Sequence, residues 1–351
     1  MISQLEGVTP LKHGGDLQQA VDKYALPLDR WIDMSTGISP WAYPVRGLSD
    51  EVWHSLPPKD DALLEVASQY YGCSASNIVT TPGSQICIRL LPQCLDRATV
   101  AIPRIGYQEH ARSWQLAGHE IYYYSDVDQL FELVTSRQVK HAVMINPNNP
   151  NGERASIAFI ERLIEQLSGT LVVDEAFIDP FCLAKDNQTE SVIKSAAELC
   201  SPKLLVLRSV GKFFGLAGIR IGFVIGSNPI VETLKTLLHP WSVSYASQVI
   251  AQRALSDQEW QQKQVVRIKE AQACFKPVLA KICQPIDDVE IKHSLLFNTV
   301  FGDVSQLTKL HHELALKGIW TRLCNEGDDP AWLRFSLPRD IEDFVRRLEG
   351  K

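Results

Sequence analysis

The segment Leu207–Phe223 reads LRSVGKFFGLAGIRIGF and joins two apolar runs through a glycine-rich turn. The run before the turn, KLLVLRSV (203–210), and the run after it, IRIGFVIG (219–226), are each typical of a buried β-strand. Lys212 follows the first run after a single glycine, Gly211. Lysine is the residue that forms Schiff bases with carbonyl groups, so an amine in such a turn is a candidate nucleophile.

Strand and helix patterns alternate through the middle of the chain. HAVMIN (141–146) and TLVVDEAF (170–177) are further strand candidates. Between them, apolar residues recur at helical spacing from Ile157 to Leu167, and Gly169 is expected to cap that helix. This order predicts an α/β fold with a mainly parallel central sheet and flanking helices.

The pattern changes near residue 245, where long helices and then short strands replace the alternation. We therefore expect a large domain over 46–245 and a smaller α+β lobe over 246–351. Residues 1–45 are expected to form an N-terminal segment that closes over the site and packs with the small lobe.

The composition excludes several classes of function. The chain has 351 residues and a formal net charge of −6, and its 35 basic and 41 acidic residues are interspersed, so it offers no basic block to nucleic acid. It has no apolar run long enough to span a membrane and no signal-peptide pattern. Its eight cysteines form no C-x-x-C pair and its nine histidines lack ligand spacing, which predicts mostly buried free thiols and no metal site. We expect a cytoplasmic protein that binds neither nucleic acid nor membrane.

Polar side chains follow three of the candidate strands. Asn149 follows HAVMIN, Asp174 ends an aliphatic run, and Lys212 follows KLLVLRSV. Ligands of parallel sheets bind at the carboxyl ends of the strands. A carboxylate for the pyridine nitrogen, a lysine for the aldehyde and a helix N-terminus for the phosphate are what pyridoxal 5′-phosphate requires.

Three motifs in this order carry a resemblance that covers nearly the whole chain. They are NPNNPNG (146–152), DEAFIDP (174–180) and RSVGKFFGLAGIRIGF (208–223). The chain resembles the fold-type I pyridoxal-phosphate enzymes of the aspartate aminotransferase superfamily, in the branch of the histidinol-phosphate aminotransferases. The resemblance implies pyridoxal 5′-phosphate as cofactor and a homodimer with active sites at the subunit interface.

The resemblance also assigns cofactor-binding roles to individual residues. Lys212 would bind the cofactor covalently and later move protons, Asp174 would pair with its pyridine nitrogen, and Asn149 would donate to its O3′ oxygen. Tyr107 would stack on the ring. The phosphate would be held by Gly83, Ser84, Gln85, Ser209 and Arg220.

Within this branch the sequence is most similar to the threonine-phosphate decarboxylases of cobalamin biosynthesis. The similar features are HGG (13–15), WIDMSTGISP (31–40), Phe177, PWSVSYASQ (240–248) and TRLC (321–324). The similarity implies loss of CO2 from L-threonine O-3-phosphate, giving (R)-1-amino-2-propanol O-2-phosphate. An aminotransferase acting on histidinol phosphate or another amino acid is the alternative, and a non-catalytic relative is a third interpretation.

Four residues are candidates for binding the substrate's anionic groups. Arg334 matches the family's arginine for the substrate acid group, and Arg322 lies twelve positions before it. His13 and Ser35 lie on the N-terminal segment. Which arginine meets phosphate and which meets carboxylate is open, and a surface ion pair is the alternative role for Arg322.

Three positions depart from the family's pattern. Gly211 stands directly before Lys212, where relatives often have serine or threonine, and Asn151 replaces the more usual threonine. Leu56 lies near the position where many relatives carry a tyrosine that reaches the partner subunit's cofactor phosphate.

Overall fold

The computed structural model describes residues 11, 13–184, 194–238, 240–324 and 330–350. The described chain forms two compact units. The large unit comprises Ala42–Asn149 and Glu153–Gln262, and the small unit comprises Thr9–Trp41, Pro150–Gly152 and Lys263–Lys351, so far as these residues are described.

The described residues contain thirteen strands and thirteen α-helices. In chain order the strands are β1 (Ile32–Asp33), β2 (Ile78–Thr81), β3 (Thr99–Pro103), β4 (Glu120–Tyr124), β5 (His141–Ile145), β6 (Leu171–Asp174), β7 (Leu204–Ser209), β8 (Gly222–Ile225), β9 (Glu290–His293), β10 (Phe297–Phe301), β11 (Ile319–Trp320), β12 (Arg322–Cys324) and β13 (Trp332–Ser336). The α-helices are α1 (Leu17–Tyr24), α2 (Glu51–His54), α3 (Asp61–Tyr71), α4 (Ser84–Leu90), α5 (Glu109–Leu116), α6 (Val127–Thr135), α7 (Ile157–Gln166), α8 (Asp179–Cys182), α9 (Ile230–Leu237), α10 (Tyr245–Ser256), α11 (Gln258–Cys283), α12 (Val304–Leu316) and α13 (Ile341–Leu348). None of these helices combines the length and apolar character needed to cross a bilayer.

A seven-stranded sheet organises the large unit, in the order β2-β8-β7-β6-β5-β3-β4. The strands from β7 to β4 pair in parallel, and β8 runs antiparallel to both β7 and β2. Side chains from α4, α5 and α9 pack with the buried strand residues in one apolar cluster, which includes Ile88, Trp114 and Leu234. The predicted α/β fold with a mainly parallel sheet is confirmed.

Two helix ends in the large unit follow local chemistry, and a third differs from the prediction. Helix α3 ends at Gly72, whose φ of +68° is the left-handed conformation that favours glycine. Helix α7 begins at Ser156, whose side chain accepts from the Phe159 amide. The prediction that Gly169 caps α7 is wrong, because the helix ends earlier, with Leu167 as its C-cap. Gly169 instead allows a close approach: a Cβ there would lie 2.5 Å from the Lys140 carbonyl oxygen.

The small unit contains two sheets. Strands β12-β13-β10-β9 form an antiparallel sheet, and β1 pairs in parallel with β11. The β1–β11 pairing joins the N-terminal segment to the C-terminal part of the chain. Trp31, just before β1, packs against Trp320 of β11, with the ring centroids 6.0 Å apart.

The boundary between the two units differs from the one that the sequence pattern predicts. The pattern placed the boundary near 245, whereas the units divide between Gln262 and Lys263, within α11. Residues 9–41 are grouped with the C-terminal unit, and the three residues Pro150–Gly152 of the NPNNPNG motif belong to it as well.

All eight cysteines lie in the described residues and are free thiols. Only Cys87 and Cys283 are buried, while Cys200 and Cys274 are exposed. The expectation that most of them are buried is therefore wrong: Cys274 lies on an exposed side of helix α11, and Cys200 lies in the segment before β7.

Two buried histidines are expected to make the free energy of unfolding depend on pH. Burial lowers the pKa of His141 and of His311 to about 4, from an ordinary value near 6.5. Their Nδ1 atoms are engaged with the Thr170 amide and the Thr321 hydroxyl, at 3.1 and 2.7 Å. Protonation is therefore unfavourable in the folded chain but free in the unfolded one.

We expect the free energy of unfolding to fall as pH falls from 6.5 to 4, because the unfolded state then binds more protons. Each histidine contributes on the order of 3 kcal/mol over this range. Urea denaturation at several pH values measures the slope. His141→Gln and His311→Gln should each flatten it, and an unchanged slope in the double variant would contradict the assignment.

Candidate active site

The register of the parallel strands brings three predicted site segments to one edge of the sheet. Asp174, the last residue of β6, is paired with Ile145 of β5 on one side and with Leu207 of β7 on the other. The carboxyl ends of these strands therefore lie side by side. Asn149 and Lys212 follow β5 and β7 along the chain, on the loops that leave this edge.

Asp174 is a buried carboxylate held by two donors. Its side chain is at the sheet edge, the residue is only 4% exposed, and Oδ2 lies 3.0 Å from Nε2 of the buried His110. Oδ1 accepts from the Ala176 amide at 3.0 Å. Because an ionised carboxylate only accepts, the imidazole supplies the proton of this bond. Sequence reasoning missed His110, which is 64 positions from its partner, and no local pattern distinguishes it from a core histidine.

Lys212 lies beside the segment that follows Asp174. Its Nζ is 5.2 Å from the centroid of the Phe177 ring, within the range of a cation–π contact. Phe177 is buried. The residue before it, Gly211, has little space for a side chain. A Cβ there would lie 3.2 Å from Cα of Ala217 and 3.3 Å from Oγ of Ser209. The glycine at this departure from the family pattern therefore fits the tight turn.

Two glycines form a cradle at the start of α4. Gly83 precedes the helix with φ +81°, and a Cβ there would lie 2.6 Å from Nη2 of Arg220. A Cβ on Gly222 would lie 2.8 Å from the Ser84 amide nitrogen. Ser209 pairs with Gly222 across β7 and β8, and its hydroxyl accepts from the Gly211 amide. The structure thus brings together a guanidinium, a hydroxyl and helix-end amides, which are donors suited to a phosphate.

A chain of side-chain hydrogen bonds connects α4 with the predicted stacking residue. The Tyr107 hydroxyl donates to Oε1 of Gln85 at 2.7 Å. Nε2 of Gln85 then donates to Glu109, which also pairs with Arg89 at 3.3 Å. Burial is the main cause that raises the pKa of Tyr107, so the phenol stays a donor. The side chain of Gln85 therefore orients Tyr107, a role that its position in the sequence did not indicate.

The loop that carries Asn149 is tied to the loop before Tyr107. Nδ2 of Asn148 donates to the Ile105 carbonyl at 2.8 Å, and the Asn148 amide donates to the Glu153 carbonyl at 2.8 Å. Asn148 is buried, whereas Asn149 is partly exposed. The two adjacent asparagines therefore differ: the side chain of Asn148 holds the loop in place, and Asn149 lies at a partly exposed position on the same loop.

A buried network of charged side chains lies next to the same edge of the sheet. Nη1 of Arg208 lies 3.0 Å from Glu175, and its Nη2 lies 2.5 Å from Asp179. The guanidinium also lies over the Tyr71 ring, 4.6 Å from its centroid. Because Glu175 follows Asp174 and Arg208 precedes Ser209, the network fixes the backbone beside both site residues. Breaking such a buried pair typically costs about 3–5 kcal/mol.

The residues of the large unit fit pyridoxal phosphate. Asp174 can face a protonated pyridine nitrogen, Lys212 offers the amine, and the cradle of Gly83, Ser209 and Arg220 offers phosphate donors. When bound, this cofactor supplies an electron sink for a bond broken at the substrate's Cα. The protein supplies the position of each of these groups.

The small unit brings the two candidate arginines together. Arg322 of β12 and Arg334 of β13 are directly paired in the antiparallel sheet, so their side chains extend from the same face. Arg334 is 6% exposed, and its Nη2 donates to the Ser35 carbonyl at 2.7 Å. His13 is exposed and precedes Gly14, whose backbone lies against that same carbonyl. Two guanidinium groups on one face of a sheet are donors suited to carboxylate and phosphate groups.

Comparisons with known proteins extend these observations. The threonine-phosphate decarboxylase of Pseudomonas aeruginosa is 35% identical over 341 residues, which cover 96% of each chain. The histidinol-phosphate aminotransferase of Thermoanaerobacter pseudethanolicus is 30% identical over 208 residues, or 56% of each chain. The crystal structure of histidinol-phosphate aminotransferase from Sinorhizobium meliloti in complex with pyridoxal-5′-phosphate superposes with a TM-score of 0.82 at 17% identity, covering 99% of this chain and 95% of that one.

The family follows from the extent of the match. Residues 46–348 match the family described as aminotransferase class I and II, which includes β2 to β13 and all the cofactor-site residues described above. The similarity to the Pseudomonas protein extends over nearly the whole of both chains. The chain belongs to the aminotransferase class I and II family.

Proposed function

We propose that the protein is a pyridoxal-phosphate-dependent lyase that removes CO2 from L-threonine O-3-phosphate and forms (R)-1-amino-2-propanol O-2-phosphate. The observation that carries this proposal is the direct pairing of Arg322 with Arg334 in the small unit. The 35% identity to a threonine-phosphate decarboxylase over 96% of the chain supports it. The amine product is the type of linker used in cobalamin biosynthesis, which is where we assign the reaction.

The substrate's charge explains why two arginines suit it. Threonine phosphate carries a carboxylate and a phosphate, and guanidinium groups bind both kinds of anion through two parallel hydrogen bonds. Because the two guanidinium groups extend from one face of the sheet, a ligand with two anionic groups can offer one to each of them.

Reaction choice depends on how the protein orients the substrate, so the groups that bind its two anions would decide which bond at Cα breaks. Lys212 would be the covalent attachment point for the cofactor and the residue that moves protons at Cα. Asp174, oriented by His110, would stabilise a positive charge on the pyridine nitrogen, and Asn149 would donate to the ring oxygen. Phe177 cannot donate a hydrogen bond, unlike the tyrosine of many aminotransferases.

An aminotransferase acting on histidinol phosphate is the second candidate. The relative from Thermoanaerobacter, at 30% identity, and the close structural match favour it. Both reactions use the same cofactor groups, so a direct test of the products is required.

We expect the cofactor-loaded protein to release CO2 and aminopropanol phosphate in equal amounts from L-threonine O-3-phosphate, without a keto-acid acceptor. Lys212→Ala should lower kcat by roughly 10³-fold or more, because the nucleophile and proton carrier is lost. A coupled CO2 assay with mass spectrometry of the amine measures both products. Lys276→Ala, at an exposed position of α11, is the control. Transamination of histidinol phosphate without CO2 release would show that the second candidate is correct.

Loss of either paired arginine should raise KM for the phosphorylated substrate more than it lowers kcat. We expect Arg322→Gln and Arg334→Lys each to raise KM by about tenfold or more, equivalent to about 1.4 kcal/mol. Lysine keeps the charge of Arg334 but loses its paired donors. Steady-state kinetics measures both constants. Arg339→Gln, an exposed arginine of the same unit, is the control, and an unchanged KM in both test variants would refute their role.

We also propose that the enzyme is a homodimer in the cytoplasm. The free thiols support a reducing compartment. Trp53 and Leu56 are 64% and 67% exposed, which is unusual for large apolar side chains and supports a covered surface on the large unit. By the family resemblance, Leu56 also lies near the position where many relatives carry a tyrosine that reaches the partner subunit.

We expect Trp53→Glu and Leu56→Glu together to shift the protein from dimer to monomer, because charges are costly in a buried interface. Light scattering after size-exclusion chromatography measures the mass. Leu316→Glu, which changes an exposed leucine of the small unit, should leave the mass unchanged. A wild-type protein of monomer mass would contradict the proposal.

A further inference from the structure

Ser35 is bonded in three directions in the small unit, although only 1% of it is exposed. Its carbonyl accepts from Nη2 of Arg334 at 2.7 Å. Its hydroxyl lies 2.6 Å from Oδ1 of Asp33 and 2.8 Å from the Gly15 amide nitrogen. The Ser35 amide also donates to Oδ1 of Asp33, at 2.8 Å. One residue therefore contacts both elements that hold the candidate anion-binding groups.

The direction of these hydrogen bonds is fixed by chemistry. A carboxylate accepts and a backbone amide donates, so the single hydroxyl proton of Ser35 points to Asp33 and a lone pair points to Gly15. No hydroxyl proton remains for a substrate oxygen. The sequence predicts that Ser35 binds the substrate directly, whereas these contacts favour a role through its neighbours.

The two glycines after His13 are required by this contact. A Cβ on Gly14 would lie 2.2 Å from the Ser35 carbonyl oxygen and 2.8 Å from its carbonyl carbon. Gly15 has φ +91°, a conformation that other residues rarely adopt. The backbone of this turn therefore lies directly on the carbonyl that binds Arg334, and the turn positions His13.

We propose that Asp33 and Ser35 form a positioning pair that holds the His13–Gly15 turn and the Arg334 guanidinium in place for a phosphate-bearing substrate. The inference rests on the proposed function for the identity of that substrate. Ordering a long arginine side chain before binding lowers the entropy lost when an anion binds. Asp33 lies at the end of β1, paired with Trp320 of β11, so the pair is itself held by the sheet.

Charge and positioning predict opposite effects of removing Asp33. If the carboxylate acted only through its charge, its removal would strengthen the binding of an anion to nearby arginines. If it acts by holding Ser35, its removal weakens that binding. Asp33→Asn separates the two, because asparagine removes the charge and keeps an oxygen that accepts from Ser35.

The test measures the Kd of inorganic phosphate by calorimetry, using the full chain loaded with pyridoxal phosphate so that the cofactor's own phosphate cradle is filled. We expect Asp33→Ala and Ser35→Ala to raise Kd by about tenfold. Asp33→Asn should stay within about twofold of the wild type or bind more tightly. Ser39→Ala is the matched control, because Ser39 is also buried but its hydroxyl accepts from Gln264.

A second measurement separates positioning from general loss of structure. We expect KM for threonine phosphate to rise with Kd in the two alanine variants, while kcat and the absorbance of the bound cofactor change little. If Asp33→Ala does not fold, Ser35→Ala carries the test. A phosphate Kd within twofold of the wild type in the alanine variants, or no phosphate binding by the wild type, overturns the inference. Turnover of histidinol phosphate in place of threonine phosphate refutes the proposed function alone, because the Kd pattern still decides the role of the pair.

Discussion

A buried carboxylate at the end of a parallel strand is the constraint on which the large unit's site depends. Asp174 follows three aliphatic residues into an apolar interior, where an unpaired charge is costly. His110 and the Ala176 amide supply the compensation inside the protein. This requirement fixes the position of α5, which carries His110 three residues after Tyr107. The ring of Tyr107 packs edge-on against His110, so the stabilisation of Asp174 also helps to place the candidate stacking residue, whose hydroxyl is oriented by Gln85.

Two glycines of the large unit, Gly83 and Gly222, allow neighbouring groups to approach closely because they have no side chain. Gly83 and Gly222 bring the start of α4, the Arg220 guanidinium and strand β8 to within contact distance of one another. Any side chain at either position would occupy the space between these donors. The antiparallel strand β8, which interrupts an otherwise parallel arrangement, places Gly222 opposite Ser209. The antiparallel direction of β8 and the missing side chains of the two glycines together form the cradle.

In the small unit the candidate site depends on two cations rather than on a buried carboxylate. Arg322 and Arg334 are directly paired across β12 and β13, so their side chains extend from one face of the sheet. Ser35 and Asp33 hold the surroundings of Arg334 through backbone and side-chain hydrogen bonds. The pairing of β1 with β11 in turn holds Asp33 in place.

Local sequence determined the α/β alternation, the strand that ends in Asp174, the turn with Lys212 and the resemblance that names the cofactor residues, because periodicity and motif order are properties of neighbouring positions. It could not show that His110 meets Asp174, that Gln85 orients Tyr107, that Arg208 joins Glu175 to Asp179, or that Ser35 is buried beneath Arg334. Each of these contacts joins positions more than ten residues apart, so only the paired register of strands and the packing of helices decided them. The predicted boundary near 245 differs from the observed one for the same reason. A change in the sequence pattern marks a change of secondary structure, whereas a compact unit is defined by its tertiary contacts, and the two units divide inside α11.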